Sequence, residues 1–272
     1  MNNAELYQQS NTLQKRDALQ CLEEYAKKIK WKNDGDTVID IGCGDGSVTS
    51  SILKTFLPYN YKKLVGCDIS EKMVQFANKH HATSHTSFKV LDIEGRLPDE
   101  MRGNFDHAFS FYALHWIKHQ ETAFTNIYKL LGKGGDCLLI FLGHMPVFDV
   151  YRILARSPKW SYWLKDVDQF VSPYHDSRDP EKEIKRMMTS IGFTGVEVKC
   201  IGKSYIYTSV EALKRAVSAV SPFKLPADMQ DSFLEDYVKI VRDMQLINHV
   251  NNNINHVNIS TNYHLLVVYG KK

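Results

Sequence analysis

The chain of 272 residues, 31.3 kDa, is long enough for a complete α/β core and is expected to form one decorated domain. Its 34 basic and 31 acidic side chains leave a formal charge of only +3, and no Lys/Arg block is long enough to track a phosphate backbone, so nucleic acid is not an expected partner. Five scattered cysteines without a C-x-x-C pair, a polar N-terminus and apolar runs of strand length argue against a disulfide framework, an export signal and a membrane span, and place the chain in the cytoplasm.

Residues 5 to 30 repeat Leu6, Leu13, Leu19, Leu22, Tyr25 and Ile29 near a period of 3.6, which predicts a helix or helix pair before any strand, with residues 1–33 as a helical lid. Strands and helices then alternate over a cofactor-binding core at 34–143. The order is strand Thr37 to Cys43, helix Gly46 to Leu57, strand Lys63 to Ile69, helix Glu71 to Lys79, strands Ser87 to Ile93 and Phe105 to Phe111, helix Glu121 to Leu131 and strand Asp136 to Phe141. Such alternation implies a parallel sheet wound by right-handed crossovers. After Gly143 the rhythm breaks into an aromatic-rich stretch punctuated by Pro146, Pro158 and Pro173, expected to be an inserted cap over 144–178.

Order returns with helix Asp179 to Ile191, strand Val196 to Ile206, helical stretches around Val210 to Val220 and Ala227 to Leu246, and a last strand, Tyr263 to Tyr269. The second helical cap is thus set at 208–250 and the closing strand at 261–272, with the polar stretch 248–258 as a loop between them. The expected fold class is α/β: a Rossmann-like doubly wound sheet of about seven strands, mostly parallel with one antiparallel edge strand, plus N-terminal helices and a helical cap.

The segment VIDIGCGDGSVT, Val38 to Thr49, carries the strongest signal: a strand with Asp40 runs into Gly42, Cys43, Gly44 and Gly46. Alternating glycines let the backbone turn with positive φ and lie flat against a ligand. The next strand, KLVGCDI, ends in Asp68 and Ile69, with Asp68 about 20 residues beyond the loop, where a ribose-binding acid belongs. Asp92 can accept from an exocyclic amine and the Ile93 amide can donate to a ring nitrogen, which suits an adenine. A dinucleotide loop would need glycine at the position of Ser47, and no G-K-[ST] follows for a phosphate loop.

With D-I-G-C-G-D-G, C-D-I, L-D-I-E and F-S-F in order between Asp36 and Leu142, the chain resembles the Rossmann-like S-adenosylmethionine-dependent methyltransferases. That resemblance implies S-adenosyl-L-methionine as cofactor and S-adenosyl-L-homocysteine as product. It places Asp40, Gly42, Cys43, Gly44, Gly46, Asp68, Ile69, Asp92, Ile93 and Ser110 at cofactor positions.

For the acceptor, the segment FSFYALHW at 109–116 lacks the [ND]-P-P-[YF] motif of amino-directed enzymes, and no acidic cluster calls for a metal, so none is expected. Gln14 and Trp116 each offer an N–H donor without a basic group, which suits a carboxylate; being ionised, a carboxylate needs no general base. Met145, Phe148, Tyr151, Trp160 and Trp163, with Tyr7 and Phe141, would supply an apolar pocket.

Over its whole length the chain resembles the insect juvenile hormone acid O-methyltransferases, on the segments LYQQSNTLQKRDAL, VIDIGCGDGSVT, LVGCDIS, LDIEG, FDHAFSFYALHWI, GGDCLLIFLGHMPVFDVY and SPYHDSRDPEKE. The resemblance implies methyl transfer to a small apolar carboxylic acid such as farnesoic or juvenile hormone acid, anchored by Gln14 and Trp116; either a monomer or a homodimer is expected. Two alternatives stay open: a phenol or hydroxyl O-methyltransferase with His115 as base, and a catalytically silent lipid-acid binding protein. His115 and His119 stand i, i+4 without a third ligand, a poor zinc signature.

Overall fold

The computed structural model describes residues 3–249 and 257–272. Two N-terminal helices, α1 (Ala4–Ser10) and α2 (Thr12–Tyr25), precede strand β1 (Thr37–Ile41). The sheet continues through β2 (Lys63–Asp68), β3 (Thr86–Val90), β4 (Phe105–Phe111), β5 (Leu131–Leu142), β6 (Thr194–Tyr207), β7 (Ile247–His249) and β8 (Val257–Lys271). Its order is β3-β2-β1-β4-β5-β8-β6, with β7 paired to β8. The first five strands are parallel, and β8 lies antiparallel between β5 and β6.

Winding reverses between β1 and β4, which pair from Val38 with His107 to Asp40 with Phe109, so the loops leaving their C-terminal ends diverge and open a crevice. The sheet is buried on both faces because its strands are apolar at nearly every position. One face packs Ile39, Val65 and Leu139 under helices α5 (Gln120–Leu130) and α7 (Pro180–Ile191). The other packs Val38, Leu64, Phe109 and Ile140 under α2 through Leu13, Leu22 and Tyr25. Helix α4 (Glu71–His81) is capped by the Ser70 hydroxyl, which accepts the Met73 N–H.

A third cluster stands beyond the sheet's C-terminal edge: helices α6 (Pro146–Ala155), α8 (Val210–Val220) and α9 (Gln230–Asp243) gather Val150, Leu213, Val217, Phe233 and Tyr237 around Ile259 of β8.

Two local expectations change. The helix expected over Gly46 to Leu57 is present over residues 47–56, but its middle, Thr49–Leu53, is π-helical and runs into a short α3, Lys54–Phe56. Here hydroxyls compete for backbone and core acceptors: Thr49 Oγ1 donates to Asp40 at 2.6 Å and Ser51 Oγ to the Ser47 carbonyl. The polar stretch 248–258 is partly strand, since Asn248 pairs with Asn258 and His249 with Val257; its residues 250–256 lie outside the described residues. Accordingly the last strand starts well before Tyr263. Among the described residues no helix is long and apolar enough to cross a membrane.

Candidate active site

The crevice between β1 and β4 is shaped first by backbone. Gly42 has φ +73°, and a Cβ there would stand 2.1 Å from Ala113 Cβ, so the loop after β1 can touch the turn after β4 only as glycine. The Gly42 and Cys43 N–H groups both donate to the Cys67 carbonyl, at 2.7 and 2.9 Å, tying the loop to the end of β2. Asp68, buried at that end, accepts the Gly44 N–H at 3.0 Å and the Ser70 N–H at 2.8 Å, one on each carboxylate oxygen. Gly42, Asp68, Ile69, Asp92 and Ile93 line the crevice as the sequence suggested.

Asp40, Cys43, Gly46 and Ser110 lie one layer below that wall. Ser110 Oγ donates to the Ile41 carbonyl at 2.8 Å, and a Cβ on Gly46 would meet Ala77 and Phe88 at 2.9 Å, so both hold the loop in shape. Cys43 packs with Val74, Ala77 and Phe88. Gly44 lies under the Tyr7 ring, 3.5 Å from where its Cβ would be. Asn126, which the sequence did not flag, braces the turn after β3: its Nδ2 donates to the Ile93 carbonyl at 2.8 Å and the Gly95 carbonyl at 2.9 Å. A polar residue on the buried face of an amphipathic helix was its signal.

The acids here suit a cationic, hydroxyl-rich ligand. Burial, with the Thr49 hydrogen bond opposing it, pushes Asp40 up to about 7. Its Oδ1 and Asp45 Oδ2 are buried without hydrogen-bond partners. Burial likewise raises Asp45 and Asp68. Orphaned carboxylate oxygens beside a glycine loop fit an ammonium group, and the free lone pairs of Asp68 fit ribose hydroxyls.

A second pocket adjoins the crevice, and Tyr7, Tyr112, Trp116 and Val220 line both. Its sheet-side wall is Leu13, Gln14, His115, Leu142, Met145 and Phe148; its cap-side wall is Tyr205, Tyr207, Leu213, Val217, Tyr237, Val241 and Ile259. The lining includes no Lys, Arg, Asp or Glu. Gln14 Oε1 is buried without a partner, so its amide retains hydrogen-bonding capacity in the wall.

His115 is buried, and desolvation drops its pKa to about 3. Its Nδ1 accepts the Leu142 N–H at 3.4 Å, which leaves the proton on Nε2. A ring so placed suits a neutral N–H donor better than a general base.

Four expected pocket residues also move. Phe141 belongs to the sheet's opposite face against Phe124. Trp160 packs on Phe233 and donates Nε1–H to Asp236 at 2.8 Å; Tyr151 and half-buried Trp163 join the same cap core. Helical spacing of aromatics built the cap interior, while β6 and α9 supplied the wall.

Asp17 is the other group the sequence missed. Wholly buried on α2, it accepts from Tyr112 Oη at 2.5 Å, Tyr263 Oη at 2.6 Å and Lys203 Nζ at 2.9 Å, and pairs with Arg16 at 3.0 Å. Burial alone would raise its carboxyl, but the Tyr112, Tyr263 and Lys203 bonds hold it below the usual carboxylate range. Tyr112 sits at φ +60°, a strained position for a residue with a Cβ, and Asp17 fastens its far end. The signal was present: Asp17 falls midway between Leu13 and Cys21 on the apolar face of a helix.

His144, Asp149 and His175 bring ligand-type atoms within 4.8 Å of one another. His175 Nδ1 accepts the Met145 N–H at 3.3 Å, so Nε2 bears the proton that it gives to Asp149 at 2.8 Å. A metal at Nε2 would require an imidazolate; the trio instead fastens the start of α6 to the turn at His175.

Comparison with known proteins agrees with this geometry. The family described as "Methyltransferase domain" matches residues 39–137. The chain is 58% identical to the juvenile hormone acid O-methyltransferase of Bombyx mori, over 100% of this chain and 98% of that protein. It is 42% identical to the enzyme of the same name from Drosophila melanogaster, over 100% and 93%. The Bacillus subtilis YcgJ protein superposes with a TM-score of 0.59 at 19% identity, covering 93% of this chain and 98% of that one. Haemonchus contortus phosphoethanolamine N-methyltransferase 2 in complex with S-adenosyl-L-methionine superposes at 0.53 and 15% identity, covering 94% and 52%. At such identities these two structures show the shared fold alone.

Proposed function

The chain belongs to the juvenile hormone acid O-methyltransferases, and from that premise we propose that it moves the methyl group of S-adenosyl-L-methionine to the carboxylate of juvenile hormone acid or farnesoic acid, giving the methyl ester. The observation that carries this reading is the shared wall. Tyr7, Tyr112 and Trp116 face both a crevice lined by Gly42, Asp68, Asp92 and Ile93 and an uncharged apolar pocket, so the two ligands would meet there.

When bound, the cofactor supplies a methyl on cationic sulfur, which an ionised carboxylate oxygen takes in line while the sulfur keeps the bonding pair. The chain's own residues orient and dry the site. Asp68 would face the ribose and Asp92 with Ile93 the adenine, with Asp40 and Asp45 acting on the ammonium from beneath the glycine loop. Gln14 Nε2–H and the Trp116 indole N–H would hold the carboxylate, with His115 Nε2–H a third donor. Tyr7 and Tyr112 would shut water from the junction. No residue need take a proton.

Under the same proposal the chain works as a single methyltransferase domain, with 1–33 as lid, 34–143 as cofactor core, 144–178 and 208–250 as cap, and 261–272 as closing strand. α2 lies over the sheet and α1 against α8, which supports the lid. The partner is a small apolar acid, with nucleic acid not expected, and the working unit a monomer or homodimer. The reduced, mostly buried cysteines support a cytoplasmic setting.

Incubation with S-adenosylmethionine and a panel of terpenoid and fatty acids, read by mass spectrometry, tests the reading. Methyl farnesoate or a juvenile hormone ester is the expected product. Methylation of a hydroxyl, or no transfer at all, would overturn it.

A further inference from the structure

The acid pocket has a property that its apolar lining alone does not explain: among the described residues, no Lys or Arg lines it to meet an anion. Among the described residues, three basic side chains on the elements around it are engaged elsewhere. Arg16 and Lys203 are paired to Asp17, at 3.0 and 2.9 Å, and Arg16 Nη1 also donates to the Ser204 carbonyl. Lys118 donates to the Val171 carbonyl. Residues 250–256 contain neither Lys nor Arg. Gln14, Trp116 and His115 are neutral donors, which offset only part of the cost of desolvating a carboxylate.

We infer that the acid's counter-charge is the cofactor itself: the pocket takes a carboxylate only when a cationic cofactor fills the adjoining crevice, so that binding is ordered, cofactor first. The inference rests on the ester-forming reading of this site. With a cation across the Tyr7, Tyr112 and Trp116 wall, attraction in a dry site stabilises the carboxylate strongly. After transfer both products are neutral at the reacting atoms, so the attraction that held the acid is gone. An ester meanwhile binds through apolar contact alone and is indifferent to the charge next door. The coupling is reciprocal, so the acid tightens the cationic cofactor by the same factor.

The test is calorimetry on the full chain saturated with sinefungin, whose protonated amine replaces the sulfonium, or with neutral S-adenosylhomocysteine. Farnesoate is expected to bind the sinefungin complex at least about tenfold more tightly than the homocysteine complex, and methyl farnesoate to bind both within about twofold. Equal affinity of farnesoate for the two complexes would overturn the inference, as would equally tight binding to the protein alone. Ester formation on the same preparation separates the two levels. Turnover with equal affinities refutes only the ordered binding, whereas no ester from farnesoate refutes the reaction beneath it.

Discussion

The two compartments that meet at Tyr7, Tyr112 and Trp116 are built by opposite means. The cofactor crevice comes from consecutive strand ends, acidic and stitched by main-chain hydrogen bonds; its shape is a property of backbone at Gly42, Gly44 and Asp68. The acid pocket comes from α2, the turn after β4, α6, β6, α8, α9 and β8, and its shape is a property of side-chain packing. Local backbone geometry demands particular residues at fixed spacing. Packing demands only volume and apolarity, so many sequences satisfy it.

Substitutions that strike one compartment and spare the other sharpen this contrast. The largest effect is expected at Gly42. In Gly42→Ala the new methyl would lie 2.1 Å from Ala113 Cβ at a φ of +73°, and we expect a loss of about 3 kcal/mol or more with cofactor binding abolished. Gly44→Ala meets only the edge of the Tyr7 ring at 3.5 Å and should cost about 1–2 kcal/mol, the left-handed strain alone. Thermal denaturation and calorimetry with the cofactor check the pair. Equal effects would show that close approach does not shape the crevice.

Asp17→Asn strikes the packing side, and breaking a buried charge network of this kind costs about 3 kcal/mol. Since Asp17 titrates below its unfolded value, the carboxylate's contribution is complete above about pH 4 and is lost as pH falls through the folded value. The stability gap between wild type and Asp17→Asn should therefore be full at neutral pH and close on acidification. The acid's KM should rise as well, because α2 carries both Asp17 and Gln14 and Asp17 fastens Tyr112. A gap that persists at low pH would show that shape, not charge, accounts for the loss.

How far each region was legible follows from the same contrast. The alternation of strands and helices, the crevice and its lining by Gly42, Asp68, Asp92 and Ile93 were readable, the last two because glycine and aspartate spacing encodes backbone. Gln14 and Trp116 both line the apolar pocket proposed for the acid. The pocket's remaining wall was not readable: Phe141, Tyr151, Trp160 and Trp163 were chosen for aromatic character near the right segment, yet they pack inward, while Tyr207 and Tyr237 arrive from distant β6 and α9. Asp17 was legible in principle as a charge on an apolar helix face, and the π-helical turn at Thr49 was hidden because hydroxyl side chains outweigh helix periodicity there.

Gln14→Ala tests the acid pocket most cleanly, since Gln14 lines that pocket and not the crevice, whereas Trp116 lines both. Losing one donor to a charged group costs about 1.5–3 kcal/mol, so kcat/KM for the acid should fall roughly 10- to 100-fold with cofactor affinity unchanged. Trp116→Ala should weaken both ligands. If Gln14→Ala instead loses the cofactor, the division between compartments fails at its sharpest point.

The smallest expected effect is also the most discriminating. Because burial holds His115 near a pKa of about 3, it stays neutral through the working range, and an acid substrate ionises below it. With cofactor and acid saturating, kcat should stay nearly flat from about pH 6 to 9, since no group on the reaction path titrates there. His115→Gln, which keeps an N–H donor, should lower kcat less than about tenfold, whereas loss of a true general base costs about 10²- to 10⁴-fold. A rate that climbs through the histidine range and collapses in His115→Gln would require a free Nδ1 or Nε2 lone pair. It would mean that the Leu142 N–H bond breaks when substrate binds, and would return the hydroxyl acceptor to consideration.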